Sequence, residues 1–310
     1  MSHVFECQAI TKRYGKTVAL DQVTLAIASR QIVGLAGRNG SGKTTLLRHM
    51  TGYCLPDEGS AHTLGTPTPV LDRAELARIG VVEQGDPLIP WMKARQLLRY
   101  VSSFYTTWDR DLEATLMTEL EVDPEAKVGA MSPGSRQKLS LVVATCHHPE
   151  LLLLDEPLSA LDPIARQSVL GMLLDRFSSD AMTIVISTHM LRDIEPVINR
   201  LVCLEQGRVV ADEELDVLRE RHAEWVVTSA SGALPREFSE PWILAADSDG
   251  TRARLQVRDP EQHLAEFIAR YRATVESRPL NLEALFPVLI GRGGAGRRGA
   301  AVVESAGAGR

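Results

Sequence analysis

Gly37-Arg38-Asn39-Gly40-Ser41-Gly42-Lys43-Thr44 is the stretch on which the reading of the fold turns. Its spacing is GxxxxGK[ST], in which glycines let the backbone curl until successive N–H groups point inward at an anion. The flanks agree with that geometry. Gln31-Ile32-Val33-Gly34-Leu35 is a nearly continuous apolar run, the pattern of a strand buried on both faces. Thr45 to Met50 reads as a helix with Gly52 as its C-cap, and a helix starting there directs the positive end of its dipole at a phosphate. In such a loop Lys43 reaches the β- and γ-phosphates of a nucleotide, and the Thr44 hydroxyl ligates Mg²⁺.

Moving outward, Leu151-Leu152-Leu153-Leu154-Asp155-Glu156 is a second apolar strand, and it ends in two carboxylates. Ligands of parallel sheets bind at strand ends, so Asp155 is placed to serve the Mg²⁺ ion and Glu156 to polarise an attacking water. Further strands are expected at Ile79 to Val82 and Met182 to Ser187. Helices are expected from Trp91 to about Leu120, from Arg136 to Thr145 and over residues 163–177. Buried strands alternating with helices give an α/β fold with a largely parallel sheet, preceded by an antiparallel β part within residues 1–35.

Several other residues fall at set places around these two motifs. Tyr14 precedes Gly15, Gln84 follows the strand near Val82, and Met131-Ser132-Pro133-Gly134-Ser135-Arg136-Gln137 precedes a helix. Ser159-Ala160-Leu161-Asp162 follows the acidic pair, and His189 follows the strand ending at Ser187. In this order and spacing, residues 3–215 resemble the ATP-binding-cassette (ABC) ATPases. The resemblance implies ATP and Mg²⁺ as cofactors and assigns roles by position. Tyr14 stacks on adenine. Gly37 to Thr45, including Asn39, Gly40, Ser41, Gly42 and Thr45, is the Walker A loop. Gln84 approaches Mg²⁺ and the lytic water, and Asp155 is the Walker B aspartate. Glu156 is the catalytic carboxylate, and His189 contacts the γ-phosphate. Ser132 and Gly134 belong to the signature motif and Asp162 to the D-loop. The signature departs from the usual Leu-Ser-Gly-Gly-Gln at Met131, Pro133 and Ser135. Pro133 is compatible with a helix start if Ser132 is the N-cap, since the first helical position needs no N–H.

The rest of the composition bounds the partners. The chain has 310 residues, 44% apolar and 24% charged, with a net charge of −6, which argues against a broad nucleic-acid footprint. No run approaches the length of a bilayer span. The opening Met1 to Glu6 carries neither a basic nor an apolar segment of the kind found in secretory signals. Cys7, Cys54, Cys146 and Cys203 are far apart and read as four buried small apolar residues.

The expected domains are a cassette over 1–221, with a helical subdomain at about 86–145, and a small α+β accessory region over 222–290. The tail at 291–310 has 7 Gly, 5 Ala and 4 Arg and is expected to be disordered. Val275 to Phe286 resembles the closing segment of ATPase subunits of bacterial drug, antibiotic and lipid exporters, in which the membrane protein is a separate chain. That resemblance implies an integral membrane permease as partner and a homodimer or heterodimer of ATPases. It also implies a cytoplasmic position, peripheral on the inner face of the membrane. The rival reading, a soluble ABC ATPase acting on ribosomes or DNA, is disfavoured by the single cassette and the lack of a coiled-coil insertion.

Overall fold

Strand Ile32–Gly37 is buried at every position, as its unbroken apolar run dictates. In the computed structural model, which describes residues 3–85, 88–180, 182–229 and 234–295, this strand lies inside a six-stranded sheet. The order is Arg208–Glu214, Arg200–Glu205, Ile32–Gly37, Thr183–Thr188, Leu151–Asp155, Ile79–Val82. The last five are parallel to their neighbours. The registers Ala36↔Thr188 and Asp155↔Ser187 bring the carboxyl ends of three strands level, so the phosphate loop, the acidic pair and the chain leading to His189 leave the sheet at one edge.

A separate four-stranded antiparallel sheet holds His3–Tyr14, Thr17–Ala28, Glu58–Thr63 and Thr66–Pro67. Its first two strands form a hairpin closed by the pair Tyr14↔Thr17. The inner alternation of those strands (Phe5, Cys7, Ile10; Leu20, Val23, Leu25, Ile27) packs a common core with the phosphate-loop helix through Leu46, Leu47 and Met50.

The helical region differs from the expected continuous helix between Trp91 and Leu120. Two helices form, Ala94–Ser102 and Arg110–Glu119. The apolar period runs through the gap only because Phe104 falls in phase, and Phe104 is half exposed. Asp109 starts the second helix by accepting the Leu112 N–H at 2.8 Å. The next helix begins at Pro133 rather than Arg136. Ser132 is its N-cap, accepting the Ser135 N–H at 3.1 Å, and proline occupies the first turn.

The chain divides into two compact units at Asp212/Glu213, nine residues before the expected boundary at 221/222. The helix Leu215–Arg221 accounts for the difference. Leu218 O meets His222 Nδ1 at 2.9 Å, and Arg221 O accepts the Asp259 N–H at 2.8 Å, so this helix is fastened to the second unit.

The second unit is an antiparallel sheet in the order Ile243–Ser248, Arg252–Arg258, His222–Ser229, Ala273–Pro279, with the helix Pro260–Tyr271 against it. Trp225, Leu255, Val257 and Phe267 form its core, and the rings of Trp225 and Phe267 lie 5.3 Å apart. A final helix, Leu282–Ala295, carries regular structure through the first five residues of the tail expected to be disordered. The apolar face of Leu282, Leu285 and Leu289 is buried, which anchors the helix despite the three glycines in its last turns. Residues 296–310 lie outside the described residues.

Cys7, Cys146 and Cys203 are buried as expected, whereas Cys54 is half-buried with its Sγ 3.2 Å from the Tyr14 hydroxyl. Among the described residues no helix is long and apolar enough to cross a membrane.

Candidate active site

The loop from Gly37 to Lys43 owes its course to glycine at two points. Gly42 has φ 110°, and a Cβ there would lie 2.5 Å from Ala19 O. Gly37 has no such dihedral, but a Cβ would collide with Ser41 and with Leu204 O. Helix Lys43–Met50 follows, with Gly42 as its N-cap, so its free N–H groups open toward the loop.

The loop borders a cavity of about 350 Å³. Asn39, Gly40, Ser41, Gly42, Lys43, Thr44, Thr45, Gln84, Asp155 and Glu156 all line it, together with Thr17 and Ala19. The sequence thus anticipated ten of the twelve lining residues. Thr17 and Ala19 escaped it, although their position just past Tyr14-Gly15, a tight turn, was the available signal.

The charged groups are in contact. Lys43 is 7% exposed, and its Nζ donates to Gly37 O at 2.8 Å and stands 3.8 Å from Glu156 Oε1. Burial holds the Lys43 ammonium below its ordinary pKa, and the carboxylates of Glu156 and Asp155 pull in the opposite direction. The Thr44 hydroxyl donates to Asp155 Oδ2 at 2.6 Å. His189 Nδ1 lies 2.9 Å from Glu156 Oε2, so the two oxygens of Glu156 face a cation on one side and an imidazole on the other. Glu156 itself has φ 51°, in the left-handed region that non-glycine residues rarely adopt.

The remaining expected residues lie away from the cavity wall. Tyr14 is half exposed at the hairpin end. Ser132 is exposed at the start of its helix, with its hydroxyl 2.9 Å from that of Ser135. A Cβ on Gly134 would lie 2.9 Å from Ala160 O, so the signature helix approaches the loop after the acidic pair too closely for any other residue to enter without a shift. Asp162 starts the helix Pro163–Asp180, accepting N–H groups from Ile164 and Ala165 at 3.0 and 2.9 Å. The Ala165 N–H above all holds its carboxyl below the usual range.

Comparison with known proteins bears on this geometry directly. Residues 20–159 match the family model described as ABC transporter. The Nod factor export ATP-binding protein I of Sinorhizobium fredii is 32% identical over 295 residues, covering 93% of this chain and 86% of that protein. The chain belongs to the ATP-binding subunits of ABC transporters. The protein of the same name from Burkholderia thailandensis is also 32% identical, over 92% of this chain and 96% of its own length. A solved ATP-binding subunit of an ABC transporter superposes with a TM-score of 0.64 at 25% identity, over 70% of this chain and 92% of that one. A dimeric ATP-binding cassette in a post-hydrolysis state, bound to ADP and Pi, gives 0.62 at 26%, over 68% and 98%. As an ABC ATPase subunit the chain hydrolyses ATP to ADP and phosphate, and that reaction powers export.

Proposed function

We propose that Glu156 is the hydrolytic carboxylate of this subunit, that Lys43 and His189 serve the γ-phosphate, and that Asp155 and Thr44 hold Mg²⁺. The observation that supports this most is the convergence of Lys43 and His189 on opposite oxygens of Glu156 at the end of the phosphate-loop cavity. A carboxylate in that position accepts a proton from water, and the ammonium beside it offsets charge that grows on the leaving phosphate.

The oxygen donors of Thr44, Asp155 and Gln84 are of the type Mg²⁺ takes. Among the described residues no group of three or more His, Cys, Asp or Glu is arranged to hold a metal; the nucleotide's phosphates would supply the other ligands. When bound, the ion neutralises phosphate charge. Tyr14 flanks the adenine end. Ser132 and Gly134 close on the γ-phosphate held by a second ATPase chain, identical or not, and Ser132 is exposed where such a chain can reach it.

The partner is an integral membrane permease, with the ATPase peripheral on the cytoplasmic face. Support comes from the relatives, which are export ATP-binding proteins, from the exposed Trp91, and from a largely apolar groove of about 420 Å³ lined by Leu71, Leu76, Ala77, Phe104 and Tyr105 with Asp72 and Arg73.

The test is Glu156→Gln. The variant keeps the shape, binds ATP, and turns over about 100-fold more slowly or worse in a Mg²⁺-dependent ATPase assay. Hydrolysis at the wild-type rate removes Glu156 from the mechanism.

A further inference from the structure

Ser187, near the carboxyl end of strand Thr183–Thr188, is wholly buried, and the parallel register sets it beside Asp155. Its one hydroxyl makes two bonds of opposite sense. Ser187 Oγ donates to Asp155 Oδ1 at 2.5 Å and accepts the Glu156 N–H at 3.0 Å. The same N–H also reaches Ser187 O at 3.2 Å. The second oxygen of Asp155 is occupied by Thr44. Asp155 is therefore gripped from both sides, by the phosphate-loop helix and by the neighbouring strand.

Glu156 needs this support more than an ordinary residue does. Left-handed backbone in a non-glycine residue persists only where the surroundings over-determine it. Both acceptors of the Glu156 N–H belong to Ser187. Fixing that peptide fixes where the Glu156 side chain departs, and so its alignment with Lys43 and His189.

We infer that Ser187 is a positioning residue for ATP hydrolysis, one hydroxyl setting both the metal-side carboxylate Asp155 and the hydrolytic carboxylate Glu156. The inference rests on the roles proposed above for those two residues. Ser187 has no exposed surface and does not line the cavity. A hydroxyl that only filled space would be replaceable by any group of its size. One that aims two carboxylates is replaceable only by another hydroxyl.

Ser187→Ala is expected to lower kcat by about 10- to 100-fold, the worth of one charge-assisted hydrogen bond, with KM for ATP within about 3-fold of wild type. A second readout needs no turnover. Binding of a fluorescent ATP analogue is titrated with Mg²⁺, and the half-saturating Mg²⁺ concentration is expected to rise by about 10-fold. Affinity in EDTA stays unchanged.

Ser187→Thr, which retains the hydroxyl, is expected to recover most of both losses. Should the alanine variant not fold, Ser187→Cys carries the same test, because it fits the space with a weak donor and is expected to lose rate and Mg²⁺ affinity. Wild-type kcat and wild-type Mg²⁺ titration in a folded Ser187→Ala or Ser187→Cys protein overturn the inference. Equal losses in folded alanine and threonine variants overturn it too. Glu156→Gln assayed alongside separates the two layers. If it is slow while Ser187→Ala is normal, only the Ser187 inference fails. If it hydrolyses at the wild-type rate, the assignment beneath it has failed.

Discussion

Replacing Lys43 by methionine separates what its ammonium does for the protein from what it does for the nucleotide. Lys43 Nζ donates to Gly37 O, so Lys43→Met leaves a buried carbonyl without that partner, at about 1–3 kcal/mol. An opposing gain comes from relieving the desolvated charge, which burial already disfavours, as the lowered pKa of Lys43 records. Glu156 keeps His189 at 2.9 Å, so its carboxylate is not abandoned. The net change in unliganded stability is therefore within about 2 kcal/mol.

The nucleotide has no such compensation. For the wild type, ligand at 100 times its Kd stabilises by about 2.7 kcal/mol. At about 2–4 °C per kcal/mol for a unit of this size, that raises Tm by about 5–10 °C. Lys43→Met is expected to show a shift of about 1 °C or less at the same Mg-ATP concentration, because that concentration no longer reaches its Kd. Differential scanning fluorimetry with and without Mg-ATP makes the measurement. A variant of near-wild-type Tm that still gains the full shift would refute the placement of Lys43 on the phosphates.

Other expectations follow from particular neighbours. His147 is buried, stacks on Tyr105 with ring centroids 4.2 Å apart, and burial depresses its pKa from 6.5 to about 4. Above pH 6.5 it is neutral folded or unfolded. Between 6.5 and about 4 only the unfolded chain takes the proton, so stability falls with pH by up to about 3 kcal/mol. Denaturant titrations of wild type and His147→Gln across that window should diverge, and parallel curves would exclude the effect. Trp225 is fully buried, so Trp225→Ala should destabilise the second unit by about 3–5 kcal/mol and Trp225→Phe by clearly less, read from the urea midpoint. Single cysteines at residues 88–95, beside the exposed Trp91, should crosslink to a membrane protein in native membranes. Crosslinks confined to the second unit would place the permease elsewhere.

The residues gathered around the cavity were legible because a phosphate-loop spacing, strand-end carboxylates and a parallel sheet each leave a local mark. Glycines at fixed spacing, a lysine and hydroxyl after them, and carboxylates at a strand's end can all be read without knowing the fold. Ser187 leaves no such mark. Its importance comes from the register Asp155↔Ser187, a pairing across 32 residues that no periodicity announces. For Thr17 and Ala19 the turn at Tyr14-Gly15 marked the hairpin but not its place, since its rim lines the cavity only where Gly42 lies against Ala19 O. The helix break at 103–109 was written in Asp109, an N-cap, but an apolar residue in phase at Phe104 masked it. The split at Asp212/Glu213 is not written in the composition, because Leu215–Arg221 is held by contacts to Asp259 and His222.

The left-handed backbone of Glu156 has a consequence for how this chain can change over generations. Holding a glutamate there costs roughly 1–2 kcal/mol that glycine would not incur. That sum is a sizeable share of the margin by which most folded chains persist. Glycine, and in lesser measure asparagine, at position 156 would make the backbone more comfortable; on the role proposed for Glu156, the need for turnover keeps them out. In a lineage released from the need to hydrolyse ATP, position 156 would drift early toward glycine or asparagine while the glycines of the phosphate loop stayed. On the role proposed for Glu156, the identity of that one residue records whether a copy of this gene is still being selected as an engine.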